Sequence, residues 1–406
     1  MKELTIGAND AGQRLDRFLA KAVPLLPASL AQKYIRLKRI KLNGARAQRD
    51  SRLTAGDVLQ LYINDEFFDR PREDNAYLTV ASPKLNIVYE DEHILLVDKR
   101  PGIAVHPHDG AEYGRTLIDH IQSYLYQKRE WRPREENSFT PALCNRIDRN
   151  TGGIVIAAKT AMALRVMNQK IKDRELDKRY LAIVEGTPKP KEGSLKGYLF
   201  KDEKKNRVFV TDKMQPGAKS CQTNYKVLAA KDGLSLVECE LITGRTHQIR
   251  AQFAHAGHPL LGDGKYGKLN KNFDRNYQAL YSYKLTFTFT TDAEDLGYLN
   301  GKSFQVEGVD FVGEYFPNYT DQHNLLFRVI QILDMVVRHF QGFADESTLR
   351  GGCRLNFFIQ FFPTFAQRRR DLFDFSLARE GNVRYAIFIV EQGQQLQRRV
   401  FCNDEL

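Results

Sequence analysis

One acid in this chain stands out by its company. In Cys144-Asn145-Arg146-Ile147-Asp148-Arg149-Asn150-Thr151-Gly152-Gly153, Asp148 lies between two arginines, ahead of a polar turn and two glycines. The apolar run Ile154-Val155-Ile156-Ala157-Ala158 follows at once and reads as a strand. Guanidinium groups on both sides favour a negative charge at Asp148, and a reactive acid on a loop held by a rigid strand suits catalysis. An acid that only solvates a loop would look the same, so this segment alone leaves both readings open.

A second constellation is Leu241-Ile242-Thr243-Gly244-Arg245-Thr246-His247-Gln248-Ile249-Arg250. A strand ends at a Thr-Gly turn, and a helix then begins with polar and basic residues. Helix starts offer free N–H groups to phosphate, and arginine adds paired donors. A capped helix with solvated charge is the plain alternative. The same region offers a different chemistry, a metal-dependent hydrolase built on His247, His255, His258 and Asp263 with His106 and His108 in reserve. Those spacings match no standard ligand pattern, and only one acid is nearby.

The elements that must carry these groups are legible in part. Ile87–Asp91 and Ile94–Asp98 read as strands, followed by the turn Lys99-Arg100-Pro101-Gly102. Arg179–Val184, Leu236–Leu241 and the alternating Leu285–Phe289 are further strands. Ala161–Lys172 and His247–Ala256 have helical spacing. The fold class expected is α+β, with a mixed, mainly antiparallel sheet and no internal repeat.

A chain of 406 residues with 42% hydrophobic residues carries two or three domains with a sizeable core. A formal charge of +11 points to a polyanionic partner, nucleic acid before an acidic membrane surface. There is no apolar leader and no apolar run long enough to cross a membrane. The five cysteines are scattered, with no CxxC pair, which fits a reduced cytoplasmic protein without a structural metal site. The final Asn403-Asp404-Glu405-Leu406 is read as an accidental likeness to a retention signal.

Charge is unevenly spread. Residues 1–62 form a small module: from Lys2 to Tyr62 there are 12 Lys+Arg against 5 Asp+Glu, and eight of the basic residues fall between Lys33 and Arg52. Lys33, Arg36, Lys38 and Arg39 sit beside a helix–turn–strand and are the module's candidate RNA contacts. Residues 63–82 mix proline with alternating charge and read as a linker, ahead of a domain over 83–318. Composition then shifts again. Up to Asn318 there are 27 Lys and 23 Arg; beyond it there are 0 Lys and 11 Arg, with 12 of the 25 Phe. Residues 319–406 are either an added domain that contacts RNA or a partner, or non-native coding sequence such as a frameshift product without a designed core. The second is favoured, because a complete switch from lysine to arginine is hard to explain by fold.

Taken together, the motifs resemble the RluA-type RNA pseudouridine synthases. Asn145–Lys159 is similar to the family's HRLDxxTSG stretch, Leu241–Gly267 to its LxTGRxHQIR stretch, and Val97–Pro107 to DKPxGxxVHP. Lys178-Arg179-Tyr180 matches its KxY element, and the basic module resembles the S-four-like RNA-binding domain of many members. Asn145 and Gly152 depart from the family's usual His and Ser. The resemblance covers about residues 1 to 317. It implies an isomerase that turns uridines of structured RNA into pseudouridine, with ribosomal RNA favoured over transfer RNA, no cofactor and no metal, in a cytoplasmic monomer away from membranes. It further implies Asp148 as nucleophile, at carbon-6 of the base or at the anomeric carbon, with Tyr180 packed on the target base and Arg245 paired with Asp148. Arg146 is implied to fill the space left by the flipped base, and Lys178, Arg179, His247 and Arg250 to hold the RNA. A non-catalytic RNA-binding protein is the remaining rival, against which the set Asp148, Tyr180 and Arg245 argues.

Overall fold

A computed structural model describes residues 1–68, 76–108, 112–133, 135–202, 207–268, 273 and 275–319, together with the backbone of 374–380, 384–391 and 394–399. The chain divides into two units, Met1–Tyr319 and Thr320–Leu406. In the second, β16 (Asp374–Glu380), β17 (Arg384–Glu391) and β18 (Gln394–Arg399) form an antiparallel three-stranded meander. The rest of the compositionally distinct tail, 319–406, lies outside the described residues apart from Tyr319.

The first unit begins with a small sheet under two helices. Its strands are β1 (Lys2–Thr5), β2 (Ile40–Leu42), β3 (Ala45–Arg46) and β4 (Val58–Leu61), in the order β1-β4-β2-β3. The helices are α1 (Leu15–Ala22) and α2 (Ala28–Arg36). Leu15, Phe18 and Leu19 recur at helical spacing and are buried with Tyr34, Ile35, Leu59 and Leu61. This module is docked rather than merely tethered. The fully buried Asp10 accepts hydrogen bonds from Asn137 Nδ2 (3.0 Å), Ser138 N (3.1 Å) and Ser138 Oγ (2.6 Å). The stretch expected to link it to the catalytic part is partly core: Tyr77 is buried against Trp131, with ring centroids 5.0 Å apart.

The remainder is built on an eleven-stranded sheet. Its strands are β5 (Ile87–Glu90), β6 (Ile94–Lys99), β7 (Ala142–Leu143), β8 (Gly152–Ala158), β9 (Leu176–Glu185), β10 (Glu192–Asp202), β11 (Arg207–Thr211), β12 (Lys219–Lys231), β13 (Leu234–Leu241), β14 (Leu280–Phe287) and β15 (Ser303–Gln305). The order is β11-β10-β12-β13-β9-β14-β8-β6-β5, with β7 on β8 and β15 on β14. The pairings are antiparallel except β14 with β8, so the fold is α+β with a mixed, mainly antiparallel sheet. Between the strands run α3 (Leu117–Gln127), α4 (Ala161–Lys172), α5 (Gln248–His255) and α6 (Asp310–Tyr315). Every residue of β8 is buried, because both faces of the sheet are covered there. Val155 and Ala157 meet one core with Tyr180, Ile249 and Phe253; Ile154, Ile156 and Ala158 meet another with Val166 and Met167 of α4.

The two glycines that open β8 explain its one parallel contact. Gly153 has φ +113° and faces Ser282 across the β14 register. A Cβ there would lie 2.2 Å from the Ser282 carbonyl oxygen, and one on Gly152 would lie 2.3 Å from the Tyr281 ring. A serine at position 152 would therefore collide with Tyr281, whose hydroxyl donates to Asp98 at 2.7 Å. Gly153→Ala is expected to cost on the order of 4–5 kcal/mol, read as lost soluble yield or a collapsed melting temperature. Gly102→Ala has φ +89° but open space around its Cβ, and is expected to cost only about 1–2 kcal/mol. Equal melting temperatures for the two variants would refute this account.

Candidate active site

Asp148 sits on a turn fixed from three directions. Its backbone carbonyl accepts the Thr151 N–H at 3.0 Å, which closes the turn. Upstream, Asn145 Oδ1 accepts the Ile156 N–H at 2.8 Å, so the residue that stands for the family's histidine ties the loop to β8. Ile147 is buried beneath. From the side, Lys99 at the end of β6 is 1% exposed and donates from Nζ to three carbonyl oxygens, those of Arg100 (3.0 Å), Ile103 (2.9 Å) and Arg149 (2.8 Å). Burial lowers the Lys99 pKa to about 8, while the negative charge of Asp148 works in the opposite direction. Three carbonyl acceptors for three N–H donors is full use of an ammonium. Lys99 thus welds the turn after β6 to the turn that carries Asp148.

The carboxylate of Asp148 is a quarter exposed and, among the described residues, has one close cationic partner, Arg250 Nη1 at 2.7 Å from Oδ2. Arg250 also holds Asp263 through Nε–Oδ2 (2.7 Å) and Nη2–Oδ1 (2.9 Å). Burial opposes the charge on Arg250, but Asp263 and Asp148 outweigh it and raise its pKa above the ordinary arginine value. Asp263 is fully buried; burial alone would raise its pKa, yet Arg250 and the backbone N–H groups of Lys265 and Tyr266 hold it below the usual carboxylate range.

The pairing of Asp148 with Arg245 is thereby corrected. Arg245 is exposed and its Nε reaches the Ser220 carbonyl oxygen at 3.3 Å. The cause is the start of α5. His247 takes a left-handed conformation (φ 52°, ψ 22°), and the helix begins at Gln248. Gln248 accepts from Thr243 Oγ1 (2.7 Å) and Arg245 N (3.1 Å) and donates to the Gln222 carbonyl (3.0 Å) and Thr223 Oγ1 (2.8 Å). This staple leaves Arg245 outside and turns Arg250, in the first turn, inward. Arg250, expected as an RNA contact, is accordingly buried in ion pairs with Asp148 and Asp263.

Strand alternation separates the KxY residues. Tyr180 is buried on the site side of β9, and Lys178 lies on the same face two residues earlier. Burial pushes the Tyr180 phenol up to about 12, reinforced by the charge of Asp148 and opposed by a hydrogen bond with Ser282. The phenol therefore keeps its proton at neutral pH. Burial also lowers the Lys178 pKa. Arg179, also expected to hold RNA, points the other way and pairs with Asp177 (2.9 Å) and Glu238 (2.8 Å). Arg146 is exposed, two residues before Asp148. Lys33, Arg36, Lys38 and Arg39 are all exposed on α2 and the turn that follows.

The alternative metal set does not converge. His247 Nδ1 faces Tyr266 Oη at 2.8 Å, His255 faces Asp212, His258 Nδ1 faces the Glu185 carbonyl, and Asp263 is taken by Arg250. Among the described residues, no helix is long and apolar enough to cross a membrane. The residues that sequence reasoning passed over here are Lys99, Gln248 and Tyr266, and Asp263 as an arginine partner. Lys99 and Gln248 stood inside recognised motifs without a role.

Comparisons with known proteins identify the family. Residues 93–255 match the family model of RNA pseudouridylate synthases, and residues 13–59 match the S4 domain. An uncharacterized RNA pseudouridine synthase of Mycoplasma genitalium is 36% identical over 283 residues, covering 68% of this chain and 85% of that protein. Ribosomal large subunit pseudouridine synthase C of Escherichia coli is 32% identical, covering 68% and 82%. Among solved structures, human RNA pseudouridylate synthase domain containing 1 has 21% identity and a TM-score of 0.42, covering 59% of this chain and 97% of that one. With its S4 module followed by this catalytic sheet, the chain belongs to the RNA pseudouridine synthases, a family of isomerases.

Proposed function

We propose that this enzyme isomerises selected uridines of large-subunit ribosomal RNA, with Asp148 as the covalent nucleophile. The observation that carries the reading is the partly exposed Asp148 carboxylate, held at one oxygen by the buried Arg250 and lying close enough to the Tyr180 phenol to raise its pKa. The isomerisation returns every atom of the uridine to the product, so neither a co-substrate nor a redox group is needed. Asp148 forms one bond to the nucleotide and gives it back when carbon-5 joins the sugar. The hydrogen displaced from carbon-5 is balanced by the one gained at nitrogen-1. Tyr180, protonated and buried, serves as a packing surface for the base.

A uridine reaches such a pocket only by leaving its stack, at about a few kcal/mol. The exposed Arg146 is suited to fill the vacated space, and Lys178 to hold a phosphate at the pocket's edge. Residues 1–62 act as the RNA-holding module ahead of the catalytic domain over 83–318, and the RNA partner places the enzyme in the cytoplasm. The relative named for the ribosomal large subunit directs the choice of RNA. Purified protein incubated with unmodified large-subunit ribosomal RNA, beside transfer RNA, is expected to yield pseudouridine at one or a few uridines of the former. Product in transfer RNA alone would overturn the substrate, and none in either would overturn the reading.

The module's share is testable separately. Replacing Lys33, Arg36, Lys38 and Arg39 with Gln is expected to weaken binding and flatten its salt dependence. The slope should fall by roughly 0.7–0.9 log units per log unit of salt for each phosphate no longer neutralised. An unchanged salt slope would remove these four residues from the RNA interface.

A further inference from the structure

Next to Asp148 stands a hydrogen-bond chain that its pairing with Arg250 does not require. His247 Nε2 is 3.7 Å from Asp148 Oδ2, and His247 Nδ1 is 2.8 Å from the hydroxyl of Tyr266. The hydroxyl already accepts the Val208 N–H at 3.1 Å. A phenol has one proton to give, and among the described residues Nδ1 is the one acceptor placed to take it. Were Nδ1 protonated instead, the phenol proton would be left without a partner and the bare Nε2 would face the carboxylate. Tyr266 is itself held firmly: it is 9% exposed, with the guanidinium groups of Arg207 and Arg250 over its ring at 5.0 and 5.2 Å. The left-handed backbone at His247 keeps the imidazole between the two partners.

We propose that Tyr266 is a positioning residue: it donates to His247 Nδ1, fixes the ring with its hydrogen on Nε2, and so aims a second donor at Oδ2 of Asp148. Arg250 and His247 then address the same oxygen, and Oδ1 is the one that attacks the uridine. The inference rests on Asp148 being the nucleophile. Oδ1 supplies the electron pair of the new bond and takes it back when the bond breaks; no proton leaves His247 or Tyr266 in either step. The gap of 3.7 Å is long for a hydrogen bond, as catalytic contacts without substrate often are. The charged groups around His247 are Asp148, Asp263, Arg250 and Lys265; burial, helped by the two cations, outweighs the two carboxylates and holds the imidazole pKa below its ordinary value, so the ring is mainly neutral at neutral pH and its tautomer matters.

The test is nitrogen-15 NMR of the full chain labelled at histidine, with the His247 signals identified by their loss in His247→Gln. In the wild type, His247 is expected to show a protonated Nε2 and a bare Nδ1. Tyr266→Phe is expected to shift that pattern toward a protonated Nδ1 and to lower kcat about tenfold with KM within about twofold. A protonated Nδ1 in the wild type overturns the proposal even if the variant fails to fold. An unchanged tautomer or unchanged kcat in a folded Tyr266→Phe protein does the same. Asp148→Asn bears on the nucleophile alone, since an active variant would remove that reading while leaving the tautomer as observed.

Discussion

Asp148→Asn is expected to form no detectable pseudouridine while still binding RNA. The amide keeps the shape of the carboxylate and can still meet Arg250 Nη1 through its oxygen, so the turn built by Lys99, Asn145 and Thr151 stays in place. What is lost is the negative oxygen that forms the covalent bond. Removing a nucleophile costs on the order of a thousandfold or more in rate, about 4 kcal/mol at 1.36 kcal/mol per tenfold. The loss should fall on kcat and kcat/KM together, because the bond exists only along the reaction path and not in bound substrate. Turnover within about tenfold of wild type would exclude Asp148 as nucleophile. Lost RNA affinity together with lost activity would show that the substitution acts through the fold.

How much of this was legible in the sequence depends on the kind of signal. Strong apolar runs placed the strands: Ile94–Asp98 became β6, Ile154–Ala158 lies within β8, and Ala161–Lys172 is α4 to the residue. Weak runs hid theirs. β10 and β11, toward the sheet edge, are mostly exposed or half-buried and bury one residue each, so neither carries a strong apolar run. Helix α3 went unread, although Leu117, Ile121 and Leu125 recur at helical spacing and Thr116 with Asp119 forms a capping box whose hydroxyl–carboxylate contact is 2.7 Å. In the site, one distinction was available and unused: residues two apart on a strand share a face, so with Tyr180 facing inward, Lys178 accompanies it and Arg179 does not. The other was not available. Whether Arg245 or Arg250 reaches Asp148 turns on one left-handed residue, His247, and on the Gln248 staple that starts the helix there. Composition carries no trace of that rotation.

That rotation makes opposite demands on the two arginines, and Arg250→Met should show it. The methionine fills the volume but leaves Asp263, fully buried, without its cation, and leaves Asp148 without its close partner. Breaking a buried pair from one side costs about 3–5 kcal/mol, a fall in melting temperature of roughly 4–7 °C for a chain of this size, and catalysis should fall with it. Arg245→Gln, at an exposed position, should stay within about 0.5 kcal/mol of wild type. The pH dependence separates a lost ion pair from a packing defect. In the wild type the Asp263 carboxyl is held below its ordinary value near 3.8, so the pair contributes stability above that value and loses it as pH falls through the lower, folded one. Without Arg250, burial of Asp263 is opposed chiefly by the Lys265 and Tyr266 N–H groups, so its protonated form is favoured more than in wild type and the variant gains stability relative to wild type as pH is lowered. The gap between the two proteins should therefore be widest near neutral pH and narrow toward pH of about 4. A gap that is constant across that range would mean that methionine fails through packing. Inactivity in Arg245→Gln alongside a stable, active Arg250→Met would restore the first pairing.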